Sequence, residues 1–303
     1  MHVPKQTIFV SNASKLKINH GALEIDIGSR TAGRIPLEDI WVLIIESQQV
    51  LITAKALSDL CEAGIGTMVC GNKHMPAGLL LPIGAHSRHA AIVEDQLLMP
   101  KPLKKRLWQA IVQRKIRNQA RVLAITGNTE KSNELDKIAK AVLSDDSNGR
   151  EAVAASIYFR ILTPNGGRRS SDLTPLLDYG YAVLRAGIAR YAVAGGWLVS
   201  RGIHHCNDLN AFNLADDFIE PFRPVVDLIV TQLIEEPVLN TESKKQLAAV
   251  FSYYVYMNGS KHTVQSAIVE TIDSFKRAVL DNDASQLHLP EVISLEQWTG
   301  EEK

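Results

Sequence analysis

The chain has 303 residues, of which 46% are hydrophobic and 22% charged, and its 33 basic and 33 acidic residues leave no net charge. This length can bury a full core and predicts two domains, and the composition is that of an ordinary soluble globular protein. No apolar run reaches the roughly eighteen residues of a membrane span, and a protein that coats DNA would be basic, so DNA binding would require segregated charge.

The cysteines and the N-terminus predict a cytoplasmic protein. Cys61, Cys70 and Cys206 are unevenly spaced and form no Cys-x-x-Cys pair, so we expect neither disulfide bonds nor a structural zinc site. The beginning of the sequence, MHVPKQTIFVSN, has no apolar signal core, so nothing in it indicates export.

The first 85 residues are predicted to form a small β-rich domain. Runs rich in β-branched residues are separated by Gly, Asn and Ser, and residues 22–27 alternate apolar and acidic side chains, as a half-solvated strand does. One helix is predicted among them, capped by Thr53 and ended by Gly64. The predicted strands are 8–10, 16–18, 22–27, 41–47, 66–71 and 79–89, and the predicted helix is 54–63.

From residue 86 onward the apolar period changes from two to about 3.6, which predicts a larger all-helical domain over 86–303. Apolar residues from Leu247 to Tyr254 fall at helical spacing, and Gly259 follows as a stop. The predicted helices are 91–124, 132–144, 150–162, 173–199, 210–233, 243–257 and 263–280. The predicted fold is therefore α+β, with a small β-rich N-terminal domain followed by a larger all-helical C-terminal domain.

Positive charge is concentrated in residues 101–121, which contain eight Lys or Arg and no acid. At about 100° per residue, four arginines of this helix share one face. They are Arg106, Arg114, Arg117 and Arg121. The absence of acids favours contact with the DNA backbone, although such charge runs also form ordinary solvated helix faces. Arg168 and Arg169 in a Gly-rich loop, and Arg88, are further candidates for DNA contact.

Residues 202–227 carry the strongest chemical signal. Asp217 and Glu220 are three residues apart, which places both carboxylates on one helical face, close enough to share a cation. His205 precedes them, and carboxylates with an imidazole suit the Mg²⁺ or Mn²⁺ of phosphodiester chemistry. Arg223 is three residues beyond Glu220, where it would neutralise that acid or hold a DNA phosphate.

Structural explanations remain open for the same residues. Glu151 stands in the first turn of a predicted helix, where the macrodipole favours an acid by about 0.3–1 kcal/mol. His205, beside His204, is also typical of a loop or cap histidine. Buried carboxylates are costly without partners, so the acids alternatively form an ion-pair network with nearby arginines. Pro221 and Pro224 are expected to kink the helix after this segment.

Three blocks of the sequence resemble the CRISPR adaptation integrases. Residues 202–224 are similar to the family signature, in which a glycine, two residues and a histidine precede Asp-x-x-Glu and Pro-Phe-Arg-Pro. The blocks at 151–159, from a Glu to a Tyr-Phe pair, and at 172–188, with a leucine pair, Tyr-Gly-Tyr and Leu-Arg, match as well. The details are most similar to the type II branch, in which the first and last metal ligands are both Glu.

The resemblance implies a metal-dependent DNA endonuclease and integrase that inserts short DNA fragments, the spacers, into a CRISPR array by transesterification. It implies that Glu151, His205 and Glu220 are the catalytic ligands of Mg²⁺ or Mn²⁺, with Asp217 and Arg223 in support. The implied partners are double-stranded DNA (the fragment and the CRISPR repeat), a second copy in a homodimer, a small ferredoxin-like protein and the RNA-guided effector nuclease.

Two other functions remain compatible with the sequence. A structure-selective nuclease acting on branched DNA would run the same chemistry in reverse. A non-catalytic DNA-binding scaffold would use the acids as structural ion pairs, and only the zero net charge favours it.

Overall fold

A computed structural model describes residues 5–72, 75–82, 86–163, 171–235 and 237–294 of the chain. Its N-terminal region contains two four-stranded sheets and one helix. The strands are β1 Gln6–Val10, β2 Lys15–Asn19, β3 Ala22–Ile27, β4 Arg30–Pro36, β5 Ile40–Ile45, β6 Leu51–Ile52, β7 Gly66–Cys70 and β8 Pro76–Leu80, and the helix is α1 Ala54–Glu62.

The strand β5 is the centre of the N-terminal region. The first sheet has the order β1-β5-β7-β8, in which β5 runs parallel to β1 and β7, and the second has the order β4-β3-β2-β6. Every residue of β5 is buried. Ile40, Leu43 and Ile45 pack in a cluster with the second sheet and α1, whereas Trp41 and Ile44 belong to the cluster that continues through the helices. Burial on both faces explains its uninterrupted apolar sequence.

The rest of the described chain is mainly helical. The helices are α2 His89–Leu97, α3 Lys101–Ile125, α4 Thr129–Lys140, α5 Arg150–Leu162, α6 Thr174–Ala194, α7 Asn213–Ile219, α8 Arg223–Thr231, α9 Thr241–Ala248 and α10 Val264–Leu280. None of the helices in the described ranges has the length and apolar character that a membrane crossing requires. A buried ion pair joins the two regions, because Lys244 Nζ of α9 lies 2.8 Å from Oε1 of Glu46, just after β5.

The predicted all-helical character of the C-terminal region is wrong, because this region contains a three-stranded sheet. Its strands are β9 Tyr254–Met257, β10 Ser260–Thr263 and β11 Glu291–Val292, in the order β10-β9-β11. The predicted helix 243–257 ends at Ala248 instead. Asn258 and Gly259 both have positive φ, 51° and 79°, and form the two-residue turn of a β-hairpin.

Two predicted helices are each divided. Residues 91–124 form α2 and α3, and residues 210–233 form α7 and α8, so the expected kink at the two prolines is confirmed. Pro224 lies in the first turn of α8, where its fixed φ is tolerated. Asn118 of α3 donates a hydrogen bond of 2.7 Å to the carbonyl of Pro221, which fixes the turn between α7 and α8.

Other predictions agree with the structure to differing degrees. The helices predicted at 54–63, 150–162 and 263–280 correspond to α1, α5 and α10, and Thr53 caps α1 as expected. The strands β4 and β6 were not predicted. The predicted domain boundary after residue 85 adjoins residues 83–85, which lie outside the described ranges, and the division into domains 1–85 and 86–303 stays a prediction.

Gly180 permits the close packing of α6 against α8. A Cβ atom at this position would lie 2.4 Å from Cγ1 of Val226 and 3.1 Å from Cδ2 of Leu247.

We expect Gly180→Ala to lower the free energy of unfolding by about 1–2 kcal/mol, because overpacking of about 1–3 kcal/mol outweighs a helix-propensity gain of up to about 1 kcal/mol. Urea denaturation measures the change. Gly78→Ala is the matched control, because a Cβ at Gly78 meets no atom within 4 Å. Equal stability of the two variants would contradict this account.

Candidate active site

One side of α3 supports the candidate site. Trp108, Lys115 and Asn118 are seven and three residues apart, so they lie on the same side of the helix. The Trp108 ring stacks on the His204 ring, with centroids 4.3 Å apart and planes at 3°, and meets the His205 ring edge-on at 5.5 Å. The same helix therefore supports the histidine loop at one point and the turn after α7 at another.

Lys115 lies between two of the predicted metal ligands. Its Nζ atom is 2.5 Å from Oε1 of Glu151, in the first turn of α5, and 2.5 Å from Oε2 of Glu220, just after α7. These two carboxylate oxygens are therefore no more than about 5 Å apart. The structure thus brings Glu151 and Glu220 together from separate helices, around a cation that was not predicted from the sequence.

The charges in this cluster stabilise one another. Burial would raise the pKa of Glu220, but Lys115 and Arg223 outweigh it, and the pKa lies below its ordinary value. Burial would lower the pKa of Lys115, but Glu220 and Glu151 outweigh it and raise the pKa. Nε of Arg223 is 3.1 Å from Oε1 of Glu220, so the ion pair that their spacing in the sequence allowed is present. Glu220, Lys115 and Arg223 are therefore all ionised at neutral pH.

His205 is held by Asp217, which is completely buried. The Asp217 carboxylate accepts hydrogen bonds from the backbone N–H groups of Ile203, His204 and His205, and from Nδ1 of His205 at 2.7 Å. A Cβ at Gly202 would lie 2.6 Å from Oδ2 of Asp217, which explains the glycine three residues before the histidine. This arrangement leaves Nε2 as the His205 nitrogen that a metal can use.

A strained loop positions Glu151. Asp145 and Asp146 have φ values of 64° and 47°, which non-glycine residues rarely adopt and which tend to occur at functional sites. The Asp146 carboxylate accepts hydrogen bonds from the N–H groups of Arg150 at 2.8 Å and Glu151 at 3.1 Å, and so caps α5. Oδ1 of Asp145 lies 3.3 Å from Nδ1 of His204. The loop therefore connects Glu151 to the histidine pair.

A buried polar network lies behind Glu220. The Asp227 carboxylate accepts hydrogen bonds from the hydroxyls of Tyr158, at 2.9 Å, and Tyr181. The Arg223 guanidinium lies over the Tyr181 ring, 4.7 Å from its centroid. Tyr158 and Tyr181 come from the two sequence blocks upstream of the histidine. Their contacts fix the orientation of the arginine that pairs with Glu220.

The four predicted DNA-binding arginines of α3 do not form a uniformly free surface. Arg106 is exposed and Arg117 is half-buried. Arg114 and Arg121 both form ion pairs with Glu291 of β11, at 2.5 Å for Arg121. Glu291 therefore partly neutralises Arg114 and Arg121, and these ion pairs join β11 to α3. Of the four arginines, Arg106 and Arg117 are the ones left without this pairing as candidates for phosphate contact.

The other predicted DNA-binding residues are placed differently. Arg88 is exposed, immediately before α2. Arg168 and Arg169 lie outside the described residues. The DNA contacts of all three stay predictions.

The donor set of the site fits a hard divalent cation. Two carboxylates already face a cation, the Lys115 ammonium, and the His205 ring is near enough to Glu220 for each to affect the pKa of the other, which is chemistry suited to Mg²⁺ or Mn²⁺. Within the described ranges, no three His, Cys, Asp or Glu side chains are already gathered as a ligand group. The Lys115 ammonium, not a third ligand, is what the two carboxylates share.

Comparison with known proteins identifies relatives over nearly the whole chain. The sequence model described as "CRISPR associated protein Cas1" matches residues 8–266. The "CRISPR-associated endonuclease Cas1" of Neisseria meningitidis serogroup C (strain 8013) is 39% identical over 302 residues, covering 98% of this chain and 99% of the relative.

Two solved structures share the fold at low sequence identity. A "Casposase bound to integration product" has a TM-score of 0.73 at 16% identity, covering 92% of this chain and 93% of the other. A "Cas6-RT-Cas1--Cas2 complex" has a TM-score of 0.74 at 17% identity, and the match covers 96% of this chain but 36% of that longer chain. At this identity the likeness shows the fold alone.

His205 makes the stability of the metal-free protein depend on pH. The hydrogen bond to Asp217 raises the pKa of His205 above its ordinary value. Protonated His205 therefore stabilises the fold below the unfolded-state pKa of about 6.5, and this contribution is lost as the pH rises through the higher folded-state pKa. We expect His205→Asn to lower the free energy of unfolding more at about pH 5.5 than at about pH 8.5.

Urea denaturation in EDTA at both pH values measures this difference. Cys206→Ser is the matched control, because it changes the same exposed loop without removing an imidazole. A loss of stability in His205→Asn that is the same at both pH values would contradict the role assigned to the Asp217 hydrogen bond.

Proposed function

The chain belongs to the Cas1 family of CRISPR-associated proteins, as its sequence blocks indicated, and on this basis we propose that it is a metal-dependent DNA endonuclease and integrase. The observation that carries the proposal is the convergence of Glu151 and Glu220 on one cation beside His205. The names of the relatives support strand breakage and joining, since one is called an endonuclease and another is bound to an integration product.

In this proposal Glu151, His205 and Glu220 would hold Mg²⁺ or Mn²⁺, which would supply Lewis-acid chemistry for the attacking hydroxyl and for negative charge on the phosphate oxygens. Asp217 accepts the hydrogen bond from Nδ1 of His205 and so keeps Nε2 free of that proton for such an ion. Arg223 keeps the carboxylate of Glu220 ionised and oriented, and it is placed to neutralise a DNA phosphate.

The proposed reaction exchanges one phosphodiester bond for another. The 3′-hydroxyl oxygen of a short DNA fragment forms a bond to the phosphorus at the boundary of a CRISPR repeat. The 3′-oxygen of the repeat strand leaves and takes up a proton, so no net hydrolysis occurs. Cleavage of branched DNA is the same exchange in the opposite direction, and one site would serve both.

The proposed partners follow from the family. They are double-stranded DNA, a second copy of the chain in a homodimer, a small ferredoxin-like protein and the RNA-guided effector nuclease. The similarity to a complex that contains Cas1 and Cas2 supports assembly with a second protein.

We expect Glu151→Gln, Glu220→Gln and His205→Ala each to reduce joining of a DNA fragment to a repeat-bearing plasmid by at least about 100-fold, because the lost groups act on charge in the transition state. DNA affinity should change little, since it depends on phosphate contacts spread over the surface. Strand joining in Mn²⁺ and in EDTA, together with the melting temperature, tests this. Glu242→Gln on α9 is the matched control, because its side chain is exposed.

The same measurements separate catalysis from a structural scaffold. If the acids served only as ion pairs, the variants would lose stability, by about 3–5 kcal/mol for a buried pair, with no specific loss of joining. Joining that persists in EDTA would overturn the metal mechanism.

The arginines of α3 should divide into two groups. We expect Arg106→Glu with Arg117→Glu to weaken binding to all DNA sequences alike and to reduce the salt slope by about 0.9 for each DNA phosphate that is no longer neutralised. Arg114→Ala should instead lower the melting temperature, because it removes an ion pair with Glu291. Titration of DNA at several salt concentrations measures the first effect. Lys245→Glu on α9 is the control, since it makes the same kind of charge reversal at one position. Normal DNA binding by the Arg106/Arg117 variant would identify this face as ordinary solvated surface.

A further inference from the structure

We propose that the Lys115 ammonium is the resident counter-cation of the metal-free site and that a divalent ion binds by displacing it from between Glu151 and Glu220. The inference rests on the proposed metal-dependent function and adds a residue that sets the metal affinity. It makes Lys115 a positioning residue, which keeps the two carboxylates together until the metal arrives.

The Lys115 ammonium is held between two carboxylates in a nearly buried position. Nζ contacts Oε1 of Glu151 and Oε2 of Glu220 at 2.5 Å each, while the Lys115 side chain is only 11% exposed. Two ionised carboxylates this close repel each other strongly in a site of low polarity. A cation between them removes the repulsion, and Lys115 is the group that supplies it.

The contact with Glu220 is one that a metal–oxygen bond can replace. Within the described part of the chain, Nζ of Lys115 is the partner of the buried Oε2 of Glu220. The contact is an ion pair in which the attraction of opposite charges is larger than the contribution of the hydrogen bond. Oε2 of Glu220 thus retains the lone pairs that a hard cation coordinates.

A metal ion and the ammonium exclude each other for steric and electrostatic reasons. Mg²⁺ binds carboxylate oxygens at about 2.0–2.1 Å, so an ion that used both of these oxygens would occupy the space of Nζ. The two carboxylates are already balanced by Lys115 and Arg223. A divalent ion added with Lys115 in place would also be repelled by the ammonium at very short range, and departure of Lys115 removes that repulsion.

Lys115 is able to leave this position because its charge is carried on a flexible four-carbon stem. Arg223 is less free, since its guanidinium is held over the Tyr181 ring as well as against Glu220. Of the two cations, Lys115 is therefore the one that exchanges. Its release also frees an ammonium next to the site where a DNA phosphate would enter.

The test compares wild-type protein with Lys115→Gln, Lys115→Arg and Lys244→Gln. The last is the matched control, because Lys244 forms another buried lysine–glutamate pair, with Glu46, away from the site. Melting temperatures are measured in EDTA and in Mn²⁺, and Mn²⁺ affinity is measured by calorimetry without DNA. These readouts do not depend on catalytic activity.

We expect Lys115→Gln to melt at a lower temperature in EDTA, to gain more stability from Mn²⁺ than wild type does, and to bind Mn²⁺ at least about tenfold more tightly, since a competing unit charge has been removed. Lys115→Arg should retain the weaker affinity of the wild type. Lys244→Gln should lose stability equally in both conditions, with unchanged Mn²⁺ affinity. A Lys115→Gln variant that folds only with Mn²⁺ also supports the proposal.

Three outcomes would overturn the proposal. They are unchanged or weaker Mn²⁺ binding by Lys115→Gln, unfolding of Lys115→Gln in Mn²⁺ as well as in EDTA, and tighter binding by Lys115→Arg. If neither wild type nor Lys115→Gln bound Mn²⁺, the proposed metal-dependent function would fail together with it. If wild type bound Mn²⁺ and Lys115→Gln bound it no more tightly, the function would stand and only the role of Lys115 would be refuted.

Discussion

Glu220 is ionised where water hardly reaches, and much of the helical region is arranged around its charge. A buried charge left without a partner costs about 3–5 kcal/mol, a large part of the roughly 5–15 kcal/mol that holds a domain folded. Lys115 from α3 and Arg223 from α8 supply the compensation, and Lys115 extends it to Glu151 on α5. Ion pairs therefore connect α3, α5 and α8 around this carboxylate. The same charges that stabilise the fold are the ones that the proposed chemistry uses.

The surroundings of this carboxylate are fixed by backbone geometry as much as by side chains. Asp217 accepts hydrogen bonds from three consecutive backbone N–H groups and from the imidazole of His205. Asp146 accepts hydrogen bonds from the first two N–H groups of α5. Each acid therefore fixes the backbone beside a candidate ligand, His205 for Asp217 and Glu151 for Asp146. A site built in this way loses little freedom when it binds, which is the condition for strong transition-state stabilisation.

The sequence was informative where local signals and the fold agree. The cap at Thr53 and the apolar period predict α1. The spacing of Asp217 and Glu220 predicts that they share a cation, but the Asp217 carboxylate holds His205 and its loop, while Glu220 pairs with Lys115 and Arg223. Lys115 was not predicted as part of the site, since it stands in a run of basic residues that favours contact with the DNA backbone. The available signal was its spacing, four residues after Ile111 and seven after Trp108, on the buried side of α3.

The errors have equally specific causes. The Asn-Gly pair at 258–259 is a strong hairpin signal, but the helical spacing before it masked the strand β9. The strand β4 is largely exposed and contains Arg, Gly and Pro, so it has no apolar alternation to recognise. The strand β11 has only two residues. Its Glu291 forms ion pairs with arginines of α3 that are far away in the sequence, and no local sequence pattern encodes such a contact.

The doubly buried strand β5 has a consequence for how the chain is made. Its Trp41 and Ile44 side faces a cluster completed by helices far along the sequence, and Glu46 beside it meets Lys244 from α9. During synthesis the N-terminal sheets leave the ribosome long before these partners exist, with one apolar face and one acid still uncovered. The sheets reach their final state only when the last third of the chain has been translated. A ribosome that stalls before α9 would release a truncated chain with an exposed apolar surface. Such a chain would be a substrate for chaperones and proteases and not a smaller functional protein.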